Sequence, residues 1–290
     1  MLNSLHAQLA NVPADVVVVD MSSTDGTVEM LENDFPWVRL LRDAPNRGYG
    51  AAVNAGIDAT EGPLILACNS DLEFREQGAL AALVSVAEGY PRAGILGARL
   101  YSADGTPAHS AFALPGRFSL AATFCAPLRY LKRLNAAALG YLEDGLMPVP
   151  ADVGWVSGAL LLVNRSALDK VGVFDEQFFM NCEEVDLCAR MHSAGWDVLF
   201  VPAAHVVHVG GGSTPKGGRG LTWLAEGQAR YTRKHFGAFS HAMSLVVAWA
   251  AYASSLPVWA ARAALGRQSL ADARAEARSY AIALRAAGHV

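Results

Sequence analysis

The chain runs to 290 residues, 52% of them hydrophobic and 17% charged, which excludes a disordered polypeptide and suits one large domain or two small ones. Its 23 Lys and Arg against 27 Asp and Glu leave a net charge of −4, which excludes a nucleic acid held by bulk positive charge. The charge is uneven: from Thr214 onward ten basic residues stand with three acidic ones, a basic tail on an acidic body.

The opening stretch MLNSLHAQLANVPADVVVVD has neither the basic start nor the long apolar core of a secretory signal, which predicts a cytoplasmic protein. Val16 to Val19, β-branched and ending at Asp20, predict a buried strand of a parallel sheet. Ser23 or Thr24 is placed to cap the helix that follows, with Asp25 at its positive end and Val28, Met30 and Leu31 as apolar contacts. Val38 to Leu41 predict a second strand, Asn46 to Gly50 a glycine-rich turn, and Ala51, Ala52, Val53 and Ile57 the next helix. Leu64 to Ala67 predict a third strand, which stops at Asn69-Ser70-Asp71. Strands and helices in this order predict a doubly wound α/β sheet, which takes ligands at the carboxyl ends of its strands.

Tyr101 to Val153 is less regular, with a turn at Asp104-Gly105 and an apolar segment at Phe118 to Leu134. Trp155 to Val163 predict a strand, Arg165 to Val171 a small helix, and Cys182-Glu183-Glu184-Val185-Asp186 the acidic start of another helix. Val198 to Val201 and Val206 to Val209 predict two short strands. Gly210 to Gly220 holds six glycines in eleven residues, which suits a mobile loop over a site, with helix beyond it. The cysteines at 68, 125, 182 and 188 form neither a CxxC pair nor a zinc spacing, which predicts reduced thiols.

Three groups of residues carry chemistry. Asn69-Ser70-Asp71 offers oxygen donors at a strand end, suited to a hard divalent cation that bridges phosphates; an Asx turn closing the strand is the plainer reading. Glu183, Glu184 and Asp186 put three carboxylates within four residues, and like charges so close raise one another's pKa, as a general base requires. The alternative is acidic residues complementing a helix dipole, and Arg190 lies one turn beyond Asp186, so a pair between them leaves Glu184 to face the site. His205 and His208 fall on opposite faces of a strand, and His208, next to the glycine loop, is the one expected to face the pocket. The GxG of NRGYGAAVNAG is not a dinucleotide fingerprint, since Val53 stands at the third glycine position and Asp58 is too near to bind a ribose.

Taken in order, VVVVDMSSTDGT, NRGYGAAVNAGI, LACNSDLEF, WVSGALLLVNRSALDKVGVFDEQFFMNCEEVDLCARMHSAGWDVLFVPAAHVVHVGGGS and YTRKHFG resemble glycosyltransferase family 2, and within it the bacterial rhamnosyltransferase-like enzymes of cell-surface polysaccharide synthesis. The resemblance implies a GT-A fold, an α/β mixed sheet, and transfer of a sugar from a nucleotide diphosphate with inversion at the anomeric carbon. By position it implies that Asp20 meets the nucleotide base and that Asn46 and Arg47 line the nucleotide pocket. It makes Asn69 to Asp71 the NxD form of a metal-binding DxD, with Asp71 the main ligand and His208 close to the metal or diphosphate. It makes Glu183-Glu184 the family's Glu-Asp pair, with Glu184 at the base position; Asp186 stands beside them as a catalytic candidate from the carboxylate cluster alone. The implied cofactor is Mg2+ or Mn2+, the donor a dTDP- or UDP-sugar, and the acceptor a glycan or lipid-linked molecule. Members open with a strand of the type VSVVIVTYN, whereas this chain starts near the following helix, at Leu2 to Leu9. The sheet is therefore expected to lack its first strand, and a non-catalytic, truncated remnant is the competing expectation. Met21 stands where members usually carry a small polar residue.

Ala242 to Ala261 contains no charged residue over a length that spans a bilayer, but Pro257 interrupts it and Arg262, Arg267, Arg274, Arg278 and Arg285 follow. An in-plane helix on an anionic inner leaflet is expected, with a single span, a soluble core helix or a dimer interface as alternatives. The organisation expected is a catalytic domain over 1–213 and a loop with a helical, membrane-associating region over 214–290.

Overall fold

Short apolar runs in the first two thirds of the chain become strands, and the alanine-rich remainder becomes long helix. The computed structural model describes residues 1–42, 45–125, 140, 142, 147, 149–210 and 218–290. Its contacts divide the chain into one unit of Met1–Phe112, Glu143–Phe179 and Glu183–Gly212 and another of Ala113–Leu142, Met180–Cys182 and Ser213–Val290. Residues 113–142 and 180–182 thus group with the C-terminal helices, where the sequence suggests a single cut after 213.

The first unit opens with α1 (Leu2–Leu9), β1 (Val17–Asp20), α2 (Thr27–Asp34), β2 (Arg39–Arg42), α3 (Tyr49–Asp58), β3 (Leu64–Cys68) and β4 (Leu72–Glu73). It continues with α4 (Ala79–Gly89), β5 (Ala93–Tyr101) and β6 (Ala111–Phe112). In the second unit lies α5 (Ser119–Thr123); the first then resumes with β7 (Ala151–Asp152), β8 (Trp155–Val156), β9 (Leu160–Asn164), α6 (Arg165–Val171), α7 (Glu183–Ser193) and β10 (Asp197–His208). β1 and β2 form a parallel pair. A separate mixed sheet runs β3-β9-β5-β10-β4, with β7 also on β10, and β6 pairs with β8. Among the described residues no strand joins the β1–β2 pair to the larger sheet, so the doubly wound sheet expected from the sequence is divided.

Residues 79–101, which carry no element in the sequence reading, provide α4 and the centre of the core. β5 lies between β9 and β10, and Ala93, Ile95, Leu96, Ala98 and Leu100 are buried. A strand covered on both faces reads as a continuous apolar run rather than an alternation. Leu83 of α4, Leu160 and Leu162 of β9, and Leu199 and Val201 of β10 complete the cluster.

Three element boundaries differ from the sequence reading. α2 begins at Thr27 after Gly26, and neither Ser23 nor Thr24 caps it; Asp25 instead accepts from the Thr27 amide at 3.2 Å and hydroxyl at 2.6 Å. The predicted strand from Trp155 to Val163 is broken between β8 and β9. The two strands predicted around Pro202 are one, β10, because an irregularity between Val201 and His205 against β5 accommodates the proline. All four cysteines are free thiols. Of the glycine-rich segment, residues 211–217 lie outside the described residues, as do 126–134 of the apolar segment.

The second unit is built on α8 (Gly218–Ala264) and α9 (Leu270–Ala287). Gly237, at φ 83° and ψ 169°, breaks α8 into two lengths, and Pro257 lies within the second. The Ser269 side chain accepts from the Asp272 amide and caps α9. Tyr280 of α9 meets Phe124 and Trp259 edge to face, each at 5.2 Å between centroids, and Leu120, Ala248 and Leu284 surround them.

A glycine in β5 tests how tightly this core is specified. A Cβ added at Gly97 would lie 2.5 Å from the Val156 Cβ, so Gly97→Ala is expected to lower stability by about 1–3 kcal/mol. Gly89→Ala, with nothing within 4 Å, serves as the control; the midpoints of urea unfolding compare them.

Candidate active site

The acidic helix start is positioned by an unusual approach. Asn181 and Cys182 both have positive φ, 71° and 70°, a conformation costly for residues with a Cβ and one that clusters at functional sites. Glu183 and Glu184 then begin α7. Glu183 is buried, and its Oε2 finds no hydrogen-bond partner among the described residues. Burial, and then the neighbouring Glu184 charge, push its pKa up to about 9.

Glu184 packs on Gly158, in the break between β8 and β9. A Cβ at Gly158 would lie 3.3 Å from the Glu184 Cγ and 3.4 Å from its Cδ. The same turn receives two further groups: the Tyr49 hydroxyl donates to the Gly158 carbonyl at 2.8 Å, and the backbone amide of the candidate Asn69 donates to the Ala159 carbonyl at 2.9 Å. The Tyr49 phenol is raised well above its usual pKa by burial and by Cys68, Glu183 and Glu184, so it remains a neutral donor. One irregular turn thus gathers Glu184, Tyr49 and the end of β3.

The glycines of NRGYG serve the same assembly. The Asn46 side chain accepts from the Gly48 amide at 2.9 Å, closing the turn into α3. At φ 102°, Gly48 passes so close to the 174–179 segment that a Cβ would fall 2.1 Å from the Phe179 carbonyl oxygen; the Tyr49 amide donates to that oxygen at 3.0 Å. Asn54 grips Phe174 twice, donating to its carbonyl at 2.9 Å and accepting from its amide at 3.0 Å. Arg47 meets Glu176 at 2.7 Å, and Glu176 also accepts from Asn54 at 3.0 Å. Tyr49, Asn54, Gly158 and Glu176 were not singled out from the sequence. The visible signal was the pair of glycines flanking Tyr49, which demands close backbone approach.

Asp20, at the end of β1, is buried and accepts from the Ser23 amide at 3.3 and 3.2 Å, with Ser22 at φ 71° completing the turn. Asp71 follows β3, and antiparallel pairing of β4 with β10 brings His208 opposite Leu72. The His208 Nε2 lies 3.2 Å from the Asp71 Oδ1, which has no hydrogen bond of good geometry among the described residues. A buried carboxylate oxygen facing an imidazole nitrogen is a donor pair that fits a divalent cation, although no cluster of three or more His, Cys, Asp or Glu occurs among the described residues. His205 turns elsewhere, to Glu76 at 3.0 Å. Asp186 is fully buried and accepts from Arg190 at 2.8 Å. Arg190 also donates to the carbonyls of Val171, Gly172 and Val173. The expected Asp186–Arg190 pair therefore fastens α7 to the end of α6, away from Glu184's contact with Gly158.

Residues 1–113 match the family described as Glycosyl transferase family 2. Over 207 residues, 68% of this chain, the sequence is 38% identical to an N-acetylglucosaminyl-diphospho-decaprenol L-rhamnosyltransferase of Mycobacterium tuberculosis strain H37Rv; the match spans 66% of that protein, just under two thirds. Over 56 residues, 19% of this chain and 21% of the relative, it is 43% identical to the rhamnosyltransferase WbbL of Escherichia coli K12. Among solved structures, the mannosyltransferase PcManGT of Pyrobaculum calidifontis, in complex with GDP-Man and Mn2+, superposes with a TM-score of 0.56 at 17% identity, over 99% of this chain and 81% of that one. GalNAc-T7 with UDP, GalNAc and Mn2+ gives a TM-score of 0.51 at 16% identity, over 78% of this chain and 45% of that one. The fold is accordingly of the GT-A type, and the chain belongs to glycosyltransferase family 2.

Proposed function

We propose that this protein is an inverting glycosyltransferase that moves a rhamnose-like hexose from a nucleoside diphosphate to a lipid-linked glycan acceptor in cell-wall polysaccharide synthesis. The observation that carries the reading is Glu184 seated on Gly158, in the turn tied to the Asn69 end of β3, in a chain 38% identical to a rhamnosyltransferase over 207 residues. A non-catalytic remnant is not favoured by these relatives.

The chemistry assigns the two glutamates different tasks. The base is Glu184, the carboxylate seated at the Gly158 turn, while burial and the neighbouring Glu184 charge push the Glu183 pKa up to about 9 and favour its neutral form. Glu184 takes the acceptor hydroxyl proton as that oxygen bonds to the anomeric carbon and the bond from that carbon to the diphosphate oxygen breaks on the opposite face. A neutral neighbour keeps Glu184 from sharing its site with a second full negative charge, and the neutral Tyr49 holds the turn beneath it. Asp71 and His208 would hold a divalent cation, which neutralises charge on the leaving diphosphate. The nucleotide is assigned to Asp20, Asn46, Arg47 and Asn69, which follow β1, β2 and β3 at their carboxyl ends. Asp186 acts as a positioning residue through Arg190. These roles fall to the first unit.

Three measurements test this. Glu184→Gln should lower the transfer rate by about 10²–10⁴-fold while UDP or dTDP binding, followed by calorimetry, stays within twofold; unchanged turnover removes Glu184 from the base role. Asp71→Ala should abolish the part of nucleotide affinity that depends on Mn2+ and leave the metal-free part unaltered. Glu183 tests the protonation. Its folded pKa is raised, so between the unfolded value near 4.5 and the folded value near 9 the native state binds a proton that the unfolded chain has released. Its contribution to stability therefore falls as pH rises through that window. Glu183→Gln should raise the melting temperature at pH 8 and leave it unchanged at pH 4; equal shifts at both pH values would exclude a retained proton.

A further inference from the structure

The second length of α8 is turned inside out for a helix of a water-soluble domain. Between Lys234 and Arg262 there is no Asp, Glu, Lys or Arg. Its sequestered face is largely small or polar: Ser240, His241, Ser244, Ala248 and Ser255 are buried, with Trp259 at the end. The opposite face carries the large apolar side chains. Phe239 is 80% and Val246 63% exposed, and Met243, Val247, Trp249 and Leu256 are exposed beside them. Phe239, Met243 and Val246 recur at the spacing of one helical face. In the most apolar part of this helix only 22% of residues are buried, so it is not an ordinary core helix.

Charge selects the partner for that face. The unit that bears it, Ala113–Leu142, Met180–Cys182 and Ser213–Val290, holds fourteen basic and three acidic side chains, a net +11; the rest of the chain holds nine basic and twenty-four acidic, a net −15. A contiguous apolar face on a strongly basic unit matches a surface that is apolar inside and anionic outside. α9 decides the orientation. It packs along α8 through Trp259 and Tyr280, and it carries Asp272, Arg274, Glu276, Arg278 and Arg285. If α8 crossed the bilayer, these charges would be drawn to the depth of the hydrocarbon. If it lies in the membrane plane, its exposed face enters the interface while the helix packed behind it keeps to water.

We infer that the second length of α8 docks in the plane of an anionic lipid bilayer, inserting Phe239, Met243, Val246, Trp249 and Leu256. The inference goes beyond the transferase reading and does not rest on it.

The test uses the full chain, with flotation on vesicles of phosphatidylcholine alone or with about one third phosphatidylglycerol. Binding is expected on the anionic vesicles, weakened by salt, and at least tenfold weaker in the double variant F239E and V246E. Circular dichroism and nucleotide calorimetry on the same variant establish that it is folded, and separate a failure here from a failure of the transferase reading. A bromolipid-quenched probe on Val246→Cys should report a shallow depth. The inference is overturned if the folded chain ignores anionic vesicles, if the double variant binds as tightly as the parent, or if the probe sits at the bilayer centre as in a span. A dimer that V246E splits, in a chain with no affinity for vesicles, also overturns it and assigns the face to a second copy.

Discussion

The Glu184 carboxylate lies against a glycine, in a turn that interrupts what would otherwise be one continuous strand. Much of the site depends on that break. The turn leaves the Gly158 carbonyl to the Tyr49 hydroxyl, while the Ala159 carbonyl accepts from the Asn69 backbone amide in continuation of the β3–β9 register. The absence of a side chain on Gly158 is what lets the glutamate approach. A base on a helix is thereby held at fixed distance from strand-end ligands by backbone rather than by flexible side chains, which is how preorganised sites are built.

The same economy explains the burial of two adjacent glutamates. Two ionised carboxylates taken out of water side by side are unfavourable, and burial together with the neighbouring Glu184 charge accordingly pushes the Glu183 pKa upward, toward the neutral form. The clamp of Gly48, Tyr49 and Asn54 on the 174–179 segment fixes the chain shortly before the pair. Arg190 anchors the helix from its other side through Asp186.

How far this was legible in sequence follows from the kind of signal each feature leaves. β1, β2 and β3 were readable because β-branched and leucine runs end at polar residues, and the Asp186–Arg190 pair because helical spacing alone predicts it. β5 was not, since a strand buried on both faces has no alternation and Ala93 to Tyr101 includes two glycines. The join of β10 across Pro202 was hidden for the opposite reason: a local breaker is tolerated where a bulge removes the need for its amide. In the site, the acidic residues announced themselves by type, whereas Gly158 and Asn54 contribute only packing and backbone contacts that no local pattern encodes. Arg47 illustrates the limit, because its partner Glu176 is distant in sequence and only the fold brings the two together.

Hydropathy of the C-terminal region misleads in a similar way. An uncharged stretch with the length of a span looks, in one dimension, like a membrane-crossing helix, a core helix or an interfacial one. The distinction is rotational: what matters is which side of the helix carries the bulk, and what lies behind it. Serines and alanines face the interior of the second unit while Phe239 and Val246 face outward, and the helix behind is charged. A core helix would have the reverse arrangement, and a span would need an apolar surface on all sides not covered by other apolar helices. Net hydrophobicity alone separates none of these, whereas the direction of the apolar face relative to its own unit separates all three.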